Sequence, residues 1–165
     1  MAGNASASTS FAVPLSSLVE NASAVVVVEP IESKSQWENG SIATYTHVRI
    51  VERVAGTAPD DAWIRTAGGR VGDIGQWVEG EADLRSRSLV FLAQAGSSAK
   101  VVGRAQGQYL AVAENGKLVL RPSPDAGRLV ARRGEVAKAF PLAGASLDEA
   151  SRQVREVWTV RHASR

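Results

Sequence analysis

Five glycines, Gly68, Gly69, Gly72, Gly75 and Gly80, fall within thirteen residues and are interleaved with Val71, Ile74, Trp77 and Val78. No other stretch restricts the fold as much. Glycine reaches positive φ and permits close backbone approach, but it loses more conformational freedom on ordering than any other residue. A flexible tether would not carry four large apolar side chains between its glycines. The stretch Ile64–Gly80 is therefore expected to be a packed, bent connection between strands, with glycine at bends or bulges. It contains no evident catalytic group.

The flanking chain reads as strands. Val25-Val26-Val27-Val28 is a continuous β-branched run, expected of a strand covered on both faces. Pro30 would interrupt a central ladder, so a bulge or an edge is expected there. Asn39-Gly40 marks a hairpin. On the return, Ile42, Thr44, Thr46, Val48 and Ile50 form the better core face, and a slip near Arg53 brings Val54 into the same series. Asp61–Thr66 leads into the glycine-rich stretch. Gly80–Arg87 is a polar connection, and Ser88–Ala93 is a buried strand. A bent strand starts at Lys100, and Asn115-Gly116 marks a second hairpin between Tyr109–Val112 and Lys117–Leu120.

Two helices frame these strands. Pro14–Ala22 places Leu15, Leu18, Val19 and Ala22 on one face, with proline where a first turn tolerates it. Ser146-Leu147-Asp148-Glu149 has the capping-box form, and Leu147, Ala150, Val154, Val157 and Trp158 follow at helical spacing. Residues 1–12 and 161–165 read as disordered ends, 13–160 as one domain, and Leu129–Ala139 as a loosely ordered, partly helical arm. The fold class expected is mainly β: a small barrel of about five or six strands with a short N-terminal helix and a C-terminal amphipathic helix.

Composition bounds the chemistry. The chain has no Cys, which removes disulfides, thiolate metal sites and cysteine nucleophiles together. It suits either a reducing cytosol or a bacterial exported protein. Ala5-Ser6-Ala7 has the form of a leader-peptidase site, without the basic and apolar regions that should precede it. The start is thus the tail of a leader, an appended segment or a loose end, and a secreted or periplasmic location is the expectation. No run approaches the ~20 apolar residues of a membrane span. Net charge divides unevenly: residues 1–97 come to −4 and residues 98–165 to +6. Two complementary faces of one domain account for this most simply.

His47 lies in mid-strand and His162 in the terminal segment. Neither has a companion motif, so structural or exposed roles are expected. Gly68–Gly72 lacks the Lys and Ser/Thr of a P-loop, and Gly69–Gly75 has dinucleotide-loop spacings displaced. Glu79, Glu81 and Asp83 alternate, so in an extended segment they face one way. They are candidates for a hard cation or for hydrolysis, or simply a solvated loop face. Arg121, Arg128, Arg132, Arg133 and Lys138 form a basic arm that offers an anion or nucleic-acid surface, but Phe140 is the one aromatic near it, so nucleic acid is not favoured. Trp37, Trp63, Trp77 and Trp158 read first as packing residues, with Trp37 the best surface candidate and Trp37 with Trp77 a possible apolar patch. No cofactor or metal is expected.

Ala24–Val28, Ser33–Trp37 with Asn39-Gly40, Thr44–Val54, Gly68–Gln76, Leu89–Leu92 and Val102–Gly107 resemble a set of uncharacterised secreted bacterial proteins, over residues 14–121. That resemblance implies no established activity. More distantly, the order of elements is similar to netrin-like modules, which are OB-type barrels with packed helices and include the tissue inhibitors of metalloproteinases. Those inhibitors act through an amino-terminal Cys that is missing here, so their mechanism does not carry over. The function expected is a non-catalytic, extracytoplasmic module for a protein or peptide partner, with Trp37, Gly69, Asp73, Gln76 and Trp77 as the recognition surface. The rivals are a hydrolase using the acidic residues and an anion binder using the basic arm.

Overall fold

The computed structural model describes residues 9–133 and 138–163. In chain order the elements are β1 (Thr9–Phe11), α1 (Leu15–Asn21), β2 (Ala24–Glu38), β3 (Ser41–Gly56), β4 (Asp61–Ala67), β5 (Gly69–Val71) and β6 (Ile74–Gln76). There follow β7 (Ser88–Ala95), β8 (Ser98–Val101), β9 (Gln108–Glu114), β10 (Lys117–Pro122), β11 (Arg128–Val130) and α2 (Leu147–His162). The molecule is mainly β.

The valine run sits at the centre, as its composition requires. Val25 and Val27 point to a core shared with the two helices, which also holds Leu18, Phe91, Tyr109, Leu142 and Val154. Ala24, Val26 and Val28 point to a second core with Val48, Ile50, Ile64, Val90 and Val101. Five strands enclose that second core in a ring: β2 pairs with β3, β3 with β4, β4 with β8, β8 with β7, and β7 with β2. All these pairings are antiparallel except β4–β8, which meets at Ile64 and Ala99. β9 and β10 extend the sheet outward from β7.

Local chemistry explains the turns. Asn39 and Gly40 have φ of 48° and 80°, and Asn115 and Gly116 have 49° and 75°. Both hairpins thus use the left-handed pair of residues that a two-residue turn demands. A slip near Arg53 is present but its outcome differs from the expected one: Val25 pairs with Ala55 and Val26 with Arg53, so Val54 bulges into the helix-side core instead of joining Val48 and Ile50 in the ring core. A further irregularity between Pro30 and Glu32 marks the expected break at proline. In α2, Ser146 Oγ accepts from Glu149 N–H while the Glu149 carboxylate accepts from Ser146 N–H, closing the capping box. Leu147, Ala150 and Val154 are its buried stripe. Burial pushes the Tyr109 phenol up to about 12.

Four further expectations need revision. Thr9–Phe11 is not a loose end but pairs in parallel with Arg128–Val130, and Gln106 fastens it by accepting from Val13 N–H and donating to Phe11 C=O. Residues 1–8 lie outside the described residues. The same pairing makes the start of the basic arm a strand; residues 134–137 of that arm are not described. Arg161 and His162 belong to α2, where the His162 ring stacks on Trp158, because the helix continues past the expected tail boundary.

The fourth concerns the glycine-rich stretch. It bends as expected, but into a two-stranded ribbon, β5 with β6, that is only half packed. Ile74 is 53% and Trp77 75% exposed. A ribbon of two strands has one face toward the ring and nothing to cover the other, so apolar content alone does not bury its side chains.

Candidate functional site

The ribbon, the outer parts of β2–β4 and the segment after Trp77 together enclose a groove of about 710 Å3. That volume is in the range of small-ligand and peptide sites. Thr44, Thr46 and Thr66 line it from adjacent strands, and Thr44 pairs directly opposite Thr66. Pro30, Ile31, Glu32 and Ser33 line it from β2; Glu81–Arg85 and Asp125 line it from connecting segments.

Gly68 and Gly69 set the ribbon on this groove. Gly68, at φ 86°, donates its N–H to Ile42 C=O at 2.8 Å and accepts at its own C=O from Thr44 Oγ1 at 2.7 Å. Gly69 lies so close to β2 and β3 that a Cβ there would collide with the hydroxyls of Thr44 and Ser35, which are bonded to each other at 2.8 Å. Gln76 closes the return, its Oε1 accepting from Ile42 N–H at 2.6 Å.

The opposite side has its own fastening. Ala82 and Leu84 are buried in the ring core, so the segment after the ribbon plugs one mouth of the ring. Gln108, fully buried, holds that segment at Asp83 through both main-chain groups: its Oε1 accepts from Asp83 N–H at 2.9 Å and its amide donates to Asp83 C=O. Glu81 accepts from Ala67 N–H at 3.1 Å and from its own neighbour Ala82 N–H, with Arg104 3.6 Å away. The Asp83 carboxylate is forked by Arg85, whose hydrogen bonds hold its pKa below the usual aspartate value.

The candidates from sequence divide accordingly. Gly69, Gln76 and Trp77 line the groove; Trp37 and Asp73 lie outside its lining. Among the described residues Trp77 is the most exposed of the large apolar side chains, where packing was the first expectation, and Trp37 is 47% exposed. Of the acidic trio, Glu81 and Asp83 reach the groove and Glu79 is not in its lining. Among the described residues no three His, Asp or Glu side chains gather as a metal would need. In the basic arm, Arg121 is paired to Glu114 at 2.7 Å and the Arg132 guanidinium lies 5.1 Å from the Phe11 ring centre.

Sequence reasoning passed over Ile31, Thr46, Thr66, Arg85 and Gln108. It also missed the surroundings of His47 on the outer face of the sheet. That ring stacks on Trp63 at 4.7 Å, with Asp61 2.7 Å from Nε2 and Glu32 3.7 Å from Nδ1. Among the described residues no side-chain hydroxyl is hydrogen-bonded to either ring nitrogen.

No helix among the described residues is long and apolar enough to cross a membrane. Comparison with models of known families, with curated proteins and with solved structures finds no match to this chain.

Proposed function

We propose that this protein is a non-catalytic binding module acting outside the cytoplasm, with the groove beneath the glycine-rich ribbon as its site for a protein or peptide partner. The observation that carries this reading is the state of the groove's central carboxylates. Asp83 is held by the Arg85 guanidinium, and Glu81 is occupied by two main-chain N–H groups. Both serve to position the wall of a groove, along which Ser33, Trp77 and Ile31 are exposed to meet a ligand.

The location rests on the resemblance to secreted bacterial proteins. The ring is best read as an OB-type barrel with netrin-like helices. A five-stranded ring with one parallel contact, and α1 packed beside α2 on one flank, support that reading. Panning a random dodecapeptide library against the protein should enrich binders that lose at least tenfold in affinity on Trp77→Ala. Those binders should shift the backbone amide signals of Thr44, Thr46 and Thr66. Turnover of a bound peptide or ester would overturn the non-catalytic reading, and binders that leave these signals unmoved would overturn the site.

A further inference from the structure

Resting on that reading of the groove, we infer that its ligand is an extended, cationic peptide segment that adds as a strand to the free edge of β2. The first observation is the edge itself. β2 pairs with β7 only from Ala24 to Val28, whereas it pairs with β3 almost to the hairpin. From Pro30 to Glu38 its other edge has no strand partner among the described residues.

The second observation is register. The two-residue turn makes Glu38 and Ser41 a hydrogen-bonded pair, and such pairs alternate along an antiparallel ladder. Gln36–Ala43 and Lys34–Tyr45 are then bonded pairs as well, and the main-chain groups of Ser33, Ser35 and Trp37 turn away from β3. The partner side of the same ladder agrees: Ile42, opposite Trp37, directs its N–H to Gln76 and its C=O to Gly68. The outward groups thus recur every second residue, the spacing an added strand requires. Pro30 and the irregularity before Glu32 guard only the start of this edge. At Ser33 it borders the groove directly.

The third observation is charge. Glu32, Glu81, Asp83 and Asp125 line the groove against Arg85 alone. Arg85 is committed to Asp83, Arg104 lies beside Glu81, and Glu32 is 3.7 Å from His47 on the outer face, so the lining keeps an acidic excess, with Asp125 as its carboxylate for an incoming Lys or Arg. An edge gives affinity without sequence preference, and the flanking acidic groups select a basic strand.

The test uses the intact protein and three blocked octapeptides: alternating Lys-Val, alternating Glu-Val, and the Lys-Val peptide N-methylated at alternate amides. The Lys-Val peptide should bind and move the amide signals of Ser33, Ser35, Thr46 and Thr66. The Glu-Val and N-methylated peptides should each bind at least tenfold more weakly. Raising salt from about 0.05 to 0.5 M should weaken the Lys-Val peptide severalfold. Ser33→Pro removes one outward N–H without touching a β3 bond and should cost at least tenfold, with folding checked by circular dichroism. Equal binding of the Lys and Glu peptides, or no effect of N-methylation, would overturn strand addition by a cation while the groove signals still move. No movement with these peptides or with the library binders would overturn the groove as well. A dimer in ultracentrifugation that Ser33→Pro dissociates would overturn it in favour of pairing between two copies of this chain.

Discussion

The two halves of β2 live under opposite conditions. From Ala24 to Val28 the strand is paired on both edges and buried on both faces, each residue at most 2% exposed. From Pro30 to Glu38 it is paired on one edge and most of its residues are exposed. One continuous strand therefore serves two purposes. The inner half joins the helix-side core to the ring core; the outer half, with its hairpin partner β3, stands beyond the ring as a platform for the ribbon. Composition follows the same division: five consecutive apolar residues inside, then Glu32-Ser33-Lys34-Ser35-Gln36 outside. Separating stability from recognition along a single strand lets the outer surface change without disturbing the core.

The sharpest way to break this comparison is to place the same charge in each half. Val26→Asp buries a carboxylate at a fully covered position with no partner in a core of aliphatic side chains. The expected loss is above about 4 kcal/mol. Ser33→Asp, in the exposed half, should change stability by less than about 0.5 kcal/mol. Urea denaturation followed by circular dichroism measures both, and similar losses at the two positions would abolish the distinction. A smaller effect is expected where the ribbon meets the outer half. Gly69→Ala drives a methyl into the Ser35 and Thr44 hydroxyls at a φ of 134°, for a cost of about 2 kcal/mol and a displaced ribbon. Gly72→Ala, at φ 58° with open space around it, should cost about 1 kcal/mol and leave the ribbon in place.

How far the sequence revealed this arrangement depends on what each part asks of its residues. The inner half of β2 was legible because double burial demands an unbroken β-branched run. The core face of β3 was legible because Ile42, Val48 and Ile50 are buried at period two. Both Asn-Gly turns were legible because few other residues accept two successive positive φ values. The groove was not. Thr44, Thr46 and Thr66 are acceptable on either face of a strand, so nothing in their order marks them as neighbours across β3 and β4. The acidic segment has no regular structure, and the residue that fixes it, Gln108, is 25 positions from Asp83. His47 likewise appeared isolated because Glu32 and Asp61 reach it only through strand pairing. The ribbon was half legible: glycine announces bends, but whether Ile74 and Trp77 are covered depends on what lies opposite a two-stranded hairpin.

The smallest expected effect is at Trp37, and it sharpens the comparison most finely. Trp37 sits in the outer half, directly across the ladder from Ile42, which is only 2% exposed. The indole therefore shields some apolar surface, yet nearly half of it remains in water. A fully buried Trp truncated to Ala costs roughly 3–5 kcal/mol, through lost transfer energy and the cavity left behind. At Trp37 solvent can fill the vacated space, so no closed cavity forms and only the covered part of the ring counts. Trp37→Ala should then cost about 0.5–1 kcal/mol in urea denaturation, with an unchanged denaturant dependence. A loss above about 2 kcal/mol would mean that the hairpin beyond the ring supports the core, and that stability is not confined to the doubly paired half of β2.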